Sequence, residues 1–166
     1  MKNNKGFTLV ELVVVIAMMA IIAGVSSTVI STVSKQELKD FTNNLDAMLC
    51  QTKIETMSGM TDPVLEISVR NGEYRATLYQ MALQSDGSRV KEPVKSQYLG
   101  DDYLKCTYTS EGNVINYTGS GVISFKYDRN TGELINKKIT DISVTSKLGT
   151  YTIQFVPQTG YHKIVN

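Results

Sequence analysis

Three hydrophobic patterns follow one another along the 166-residue chain. From Phe7 to Val25 almost every residue is apolar, and no charge occurs from Leu12 to Ser34. As a helix that uncharged stretch is roughly 35 Å long, enough to cross a bilayer. From Ser26 the sequence turns polar but keeps a helical period. Leu38, Phe41, Leu45, Met48 and Leu49 recur at three- and four-residue steps, a stripe suited to lie on a sheet. Cys50, Ile54 and Met57 form a second stripe, turned about 100–150° from the first. It suits either contact with another chain or packing under loops of its own domain. Ser58-Gly59 predicts the helix end, with Gly59 as the residue just past it, and Pro63 bars quick resumption. One helix from Phe7 to Ser58 would be roughly 78 Å long. No proline interrupts it, and Gly24 to Thr28 is its weakest stretch by helix propensity.

Beyond Pro63 the period changes from helical to alternating. Residues 64 to 81 read VLEISVRNGEYRATLYQM, with the hairpin signal Asn71-Gly72 at the centre. A two-residue turn there pairs Val69 with Tyr74, Ile67 with Ala76 and Leu65 with Leu78, all on one apolar face. Ser68 then meets Arg75 and Glu66 meets Thr77 on the other face, a match that a slip of one residue would ruin. GSRVKEPV, residues 87–94, reads as a loop, followed by strands near 94–99 and 104–109. GVISFKYDRNTGELI predicts a strand with Ile123, Phe125 and Tyr127 on one face, a turn and a short return strand. ITDISVTS and YTIQFV alternate as further strands, and PQTG turns the chain into YHKIV. The expected fold class is α+β: a long N-terminal α-helix, membrane-spanning in its first half, packed by its second half on a C-terminal antiparallel β-sheet or small β-sandwich. The expected segments are 7–33 for the spanning helix, 34–60 for its amphipathic continuation and 61–166 for the extracytoplasmic β-domain.

Charge adds an orientation. The formal net charge is +1 with no basic run, so a broad nucleic-acid-binding patch is unsupported. Lys2 and Lys5 precede the apolar run, whereas KQELKD at 35–40 is balanced, which places the N-terminus in the cytoplasm. The two cysteines, Cys50 and Cys106, match no zinc spacing; a disulfide is permitted outside the cytoplasm, and burial of two free thiols is the simpler reading. The one histidine, His162, falls in a predicted edge strand and is expected to be exposed. DRNTGE at 128–133 shares the Asp-x-Asn opening of a calcium loop. However, Gly132 stands where a ligand belongs and Ile139 where the closing glutamate should, so a hairpin turn explains it better. No nucleophile elbow, metalloprotease helix or phosphate loop occurs. No enzyme, cofactor or metal is expected.

Glu11 is the anomaly, a carboxylate near the start of an apolar run where a lone charge costs roughly 2–3 kcal/mol. An export signal peptide gains nothing from it, and Val25-Ser26-Ser27 makes a poor cleavage site for one. Read as a unit, KGFTLVEL, residues 5–12, resembles the cleavage and methylation signal of type IV pilins and pseudopilins. The resemblance rests on a short basic leader, Gly6, then Phe7, with Glu11 fifth from Phe7, all opening an apolar helix. It covers about the first fifth of the chain. The glycine-terminated turns of the final section are loosely similar to the GspH-like branch of minor pseudopilins.

The resemblance implies a leader of residues 1–6, cut between Gly6 and Phe7 by a membrane-embedded prepilin peptidase, and N-methylation of Phe7. Glycine before the cut lets a protease approach the backbone closely. Cleavage removes Lys2 and Lys5, taking the formal side-chain charge from +1 to −1. Phe7 and Glu11 share one helix face, and the family assigns Glu11 to subunit assembly. The implied partners are other pilin or pseudopilin subunits, a polytopic assembly platform protein, an assembly ATPase acting indirectly, and the cytoplasmic membrane. The implied location is a single-pass precursor in the cytoplasmic membrane, then an extracytoplasmic or cell-surface filament serving a pilus, type II secretion or competence. The rival expectation is an anchored or secreted binding domain whose N-terminus serves only for export.

Overall fold

The structure, a computed structural model, describes residues 8–59, 61–117 and 121–165, and within the helix the side chains other than those of 25–34. The helix α1, Leu9–Ser58, is 50 residues and runs unbroken through Gly24 to Thr28. Its length is roughly 75 Å. It ends where the sequence places the end. Gly59 takes φ 74°, and its amide donates to the Thr56 carbonyl at 3.2 Å. That left-handed cap is costly for residues with a β-carbon, hence the glycine.

Nine strands follow among the described residues: β1 Val64–Arg70, β2 Glu73–Leu83, β3 Arg89–Asp101, β4 Lys105–Ser110, β5 Asn113–Tyr117, β6 Ile123–Phe125, β7 Ile139–Ser146, β8 Gly149–Val156 and β9 Tyr161–Val165. They form two antiparallel sheets, ordered β3-β2-β1-β6 and β5-β4-β7-β8-β9. The β1–β2 register is the one its turn predicts, with Leu65 opposite Leu78, Ile67 opposite Ala76 and Val69 opposite Tyr74. Asn71 and Gly72 both have positive φ, 53° and 78°, as a two-residue turn between twisted strands requires.

Two expectations are corrected. Residues 87–94 do not form a loop throughout, because β3 begins at Arg89. A proline such as Pro93 argues against a central strand. It sits on an edge strand, beside a register shift between Leu78 and Tyr79, where a missing amide breaks no essential ladder bond. The return strand after DRNTGE shrinks to a single bridge, Tyr127 to Leu134.

The core is one continuous cluster between α1 and both sheets. The first stripe is buried along its whole length, from Leu38 through Phe41, Leu45 and Met48 to Leu49. It meets Leu65, Ile67 and Leu78 of the first sheet and Ile142, Val144 and Ile153 of the second. Phe41 packs edge-on to Tyr74 with centroids 5.6 Å apart, and Phe125 stacks on Phe155 across the sheets at 5.6 Å. Gly100 makes room for this approach, since a β-carbon there would lie 3.2 Å from the Phe41 ring and 2.8 Å from Leu104. Thr42, Thr52 and Thr56 are also buried on α1, and their hydroxyls donate to the carbonyls of Leu38, Met48 and Thr52. The second stripe stays largely outside: Ile54 is 68% exposed and Met57 52%.

Candidate functional site

Two places gather chemically distinctive side chains. The first is the start of α1. Thr8 is the N-cap, with extended backbone at φ −76° and ψ 150°. Its hydroxyl accepts from the Glu11 amide at 3.3 Å, and the Glu11 carboxylate accepts from the Thr8 amide at 3.4 Å. This reciprocal pair satisfies two backbone donors that a helix start otherwise leaves open. The sequence signal for it is Thr-x-x-Glu at residues 8–11. Gly6 and Phe7 lie outside the described residues.

Every residue from Leu9 to Gly24 is exposed, including Leu9 at 80% and Ile21 at 68%. A helix apolar on all sides normally belongs in a membrane or among other helices. Among the described residues no helix is long and apolar enough to cross a membrane. Leu9 to Gly24 is about 24 Å as a helix, short of a hydrocarbon core of about 30 Å. A spanning length therefore depends on the uncharged sequence that continues to Ser34.

The second place lies midway along the packed half of α1. Asp46 and Cys50 are four residues apart and so share a helix face. Strand β9, the edge of the five-stranded sheet, brings His162 onto that face. Its Nε2 lies 3.2 Å from the Asp46 carboxylate and 3.5 Å from the Cys50 sulfur. The His162 side chain is only 5% exposed, which overturns the expectation of a solvent-facing histidine. The physical reason is tertiary. An edge strand has one open edge in the plane of its sheet, but its inward face is covered here by α1, and Phe155 flanks the ring at 5.8 Å.

The electrostatics of this cluster are specific. Burial pushes the Cys50 thiol up, the Asp46 charge pushes it further, and Lys53 pulls it back. A thiol so held is a poor nucleophile at neutral pH. Asp46 and Cys50 also meet the same ring nitrogen, whereas a thiol–imidazole–carboxylate relay needs one on each. Two buried polar atoms nearby lack partners: Nδ1 of His162 and the hydroxyl of Tyr127. Burial raises the Tyr127 phenol, and the charges of Cys50 and Asp46 raise it further, so that hydroxyl lies within their field.

Other polar groups are taken up by local structure. The Asp128 carboxylate accepts from the amides of Asn130 and Thr131, both at 2.9 Å, and from the Thr131 hydroxyl, which makes DRNTGE a turn. Asp101 accepts from the Tyr98 hydroxyl at 2.7 Å. Cys106 is free and buried, and burial pushes its thiol up to about 12. Cys50 is free as well but exposed as a residue, so of the two cysteines only Cys106 lies wholly in the core.

Comparison with curated proteins and with solved structures finds no match to the chain. Residues 1–27 match a family model described as the prokaryotic N-terminal methylation motif, a segment that includes Gly6, Phe7, Thr8 and Glu11. That match supports a prepilin-type signal, of the kind carried by type IV pilin-like proteins and processed by a prepilin peptidase.

Proposed function

We propose that this protein is a filament subunit, cut between Gly6 and Phe7, methylated at Phe7, and polymerised through its N-terminal helix. The observation that carries the reading is the methylation motif at residues 1–27 leading directly into a helix whose apolar surface, from Leu9 to Gly24, has no cover in the single chain. Before assembly the precursor sits in the cytoplasmic membrane with its N-terminus inside, its first half spanning through residue 33 and its β-domain outside. Within a filament the same helices pack on each other, and the sheets form the outer surface. Other pilin or pseudopilin subunits, the platform protein and the assembly ATPase are its proposed partners. Among subtypes the GspH-like minor pseudopilin is the one we put forward, on the glycine-terminated turns of the final section.

In this reading Glu11 pairs with the methylated amine of Phe7 from a neighbouring subunit. In the isolated chain the carboxylate is exposed and capped on Thr8. Inside a bundle of apolar helices it would be desolvated, and an unpaired carboxylate there is costly. A staggered neighbour supplies the opposite charge and so favours one axial register. That is a gain in specificity more than in stability, because buried ion pairs return little net energy.

The mass of the mature N-terminus tests the proposal. A chain beginning at N-methylated Phe7 supports it. A chain beginning near Thr28 refutes it and favours a domain that uses the N-terminus only for export. Replacement of Gly6 by a bulky residue is expected to leave uncut precursor in the membrane.

A further inference from the structure

We propose that Asp46, Cys50 and His162 form a binding site for a divalent ion of the zinc class, joining the packed half of α1 to the C-terminal strand β9. The three side chains offer one oxygen, one sulfur and one nitrogen, all within 4.8 Å of one another. This mixed set suits a borderline-soft ion; calcium and magnesium take oxygen ligands almost exclusively. The two separations from the His162 nitrogen are also those of a tetrahedron's edges. Bonds of about 2.0 Å to nitrogen and oxygen and 2.3 Å to sulfur put N and O roughly 3.3 Å apart, and N and S roughly 3.5 Å apart. The corresponding separations are 3.2 Å from Nε2 to Asp46 and 3.5 Å from Nε2 to Cys50.

A plain hydrogen bond from His162 to Asp46 accounts for the first distance, and the Cys50 sulfur stands within hydrogen-bond reach of the same nitrogen. Convergence of a carboxylate and a thiol on one ring nitrogen is what an ion between the three would require. The surroundings point the same way. The Tyr127 hydroxyl, on a residue 1% exposed, feels the charges of Cys50 and Asp46 and is buried without a partner. Water on the fourth position of the ion would supply one. Cys50 is solvent-accessible, so that position can exchange. Binding displaces the Cys50 proton to solvent, and the thiolate sulfur, the Asp46 oxygen and the neutral His162 nitrogen each donate a pair to the ion.

The test uses the full chain in detergent micelles, stripped with a chelator and titrated with zinc, then with cobalt as a spectroscopic stand-in. Binding of one equivalent, with an intense thiolate-to-cobalt band and the visible bands of tetrahedral cobalt, is expected. Cys50→Ser should abolish the thiolate band, while Cys106→Ala should keep it. Asp46→Asn and His162→Gln should each weaken zinc binding at least tenfold. Zinc should also raise the melting temperature of the native chain relative to chelator. If the native chain shows only the weak spectrum of six-coordinate cobalt, the site is absent. A thiolate band that survives Cys50→Ser overturns the assignment equally, and neither result depends on the folding of the His162 variant.

Discussion

The carbonyl oxygen of Gly132 lies 2.0 Å from where a β-carbon on Gly160 would stand. The two glycines belong to different turns, DRNTGE before β7 and PQTG before β9, and both have positive φ, 69° and 60°. The Gly160 turn leads directly into β9 at Tyr161, and Lys53 of α1 ties it down by donating to the Thr159 carbonyl at 2.9 Å. This arrangement carries His162 onto the helix.

Gly160→Ala should therefore destabilise the domain well beyond the strain of its backbone angle. Left-handed backbone costs a non-glycine residue about 1–2 kcal/mol, and the overlap with Gly132 adds displacement of one turn. Gly87→Ala is the control, since Gly87 has φ 82° but nothing within 4 Å of its β-carbon position. Thermal melts should show the Gly160 variant falling at least twice as far as the Gly87 variant. Equal losses would mean that the two turns part freely.

The two stripes on α1 make opposite predictions. Leu45 is fully buried, and Leu45→Ala should cost about 2–5 kcal/mol in urea unfolding. Ile54 is 68% exposed, and Ile54→Ala should stay within about 0.5 kcal/mol in the isolated chain. A large loss at Ile54 in filaments alone would identify that stripe as a subunit contact.

Cys106 links stability to alkaline pH. Its folded thiol is raised from 9.0 to about 12 by burial, so the folded state holds the proton more tightly than the unfolded chain. The stabilisation is complete below pH 9 and declines as pH rises toward 12. At pH 11 the loss from this group is about 2–3 kcal/mol. Urea midpoints at pH 8 and pH 11 should fall further for the native protein than for Cys106→Ala. In metal-free native protein an alkylating reagent should modify Cys50, with Cys106 reacting only on unfolding.

Glu11 has two roles to separate, and substitution can separate them. Glu11→Gln keeps a side chain able to accept from the Thr8 amide, whereas Glu11→Val removes that half of the cap and leaves the other half to the Thr8 hydroxyl. Neither change should prevent insertion or cleavage. Both should enter filaments poorly if the charge pairs with the neighbouring Phe7 amine, as immunoblots of sheared filaments against membranes would show. Incorporation of the glutamine variant at native levels would reduce Glu11 to a helix cap.

The sequence by itself determined what depends on neighbours along the chain. The stripe from Leu38 to Leu49, the helix end at Gly59 and the register around Asn71-Gly72 each follow from local periodicity or turn chemistry. The N-terminal motif is equally local, since all of it lies within residues 1–27. Only the tertiary structure decided that Pro93 lies inside an edge strand and that the inward face of β9 meets α1. His162 is 112 residues from Cys50, and no period links them. What joins them is the packing of a helix over both sheets, together with two turns that touch because Gly160 carries no side chain against the Gly132 carbonyl. Such contacts arise from shape and burial summed over the whole core, which no short window of sequence contains.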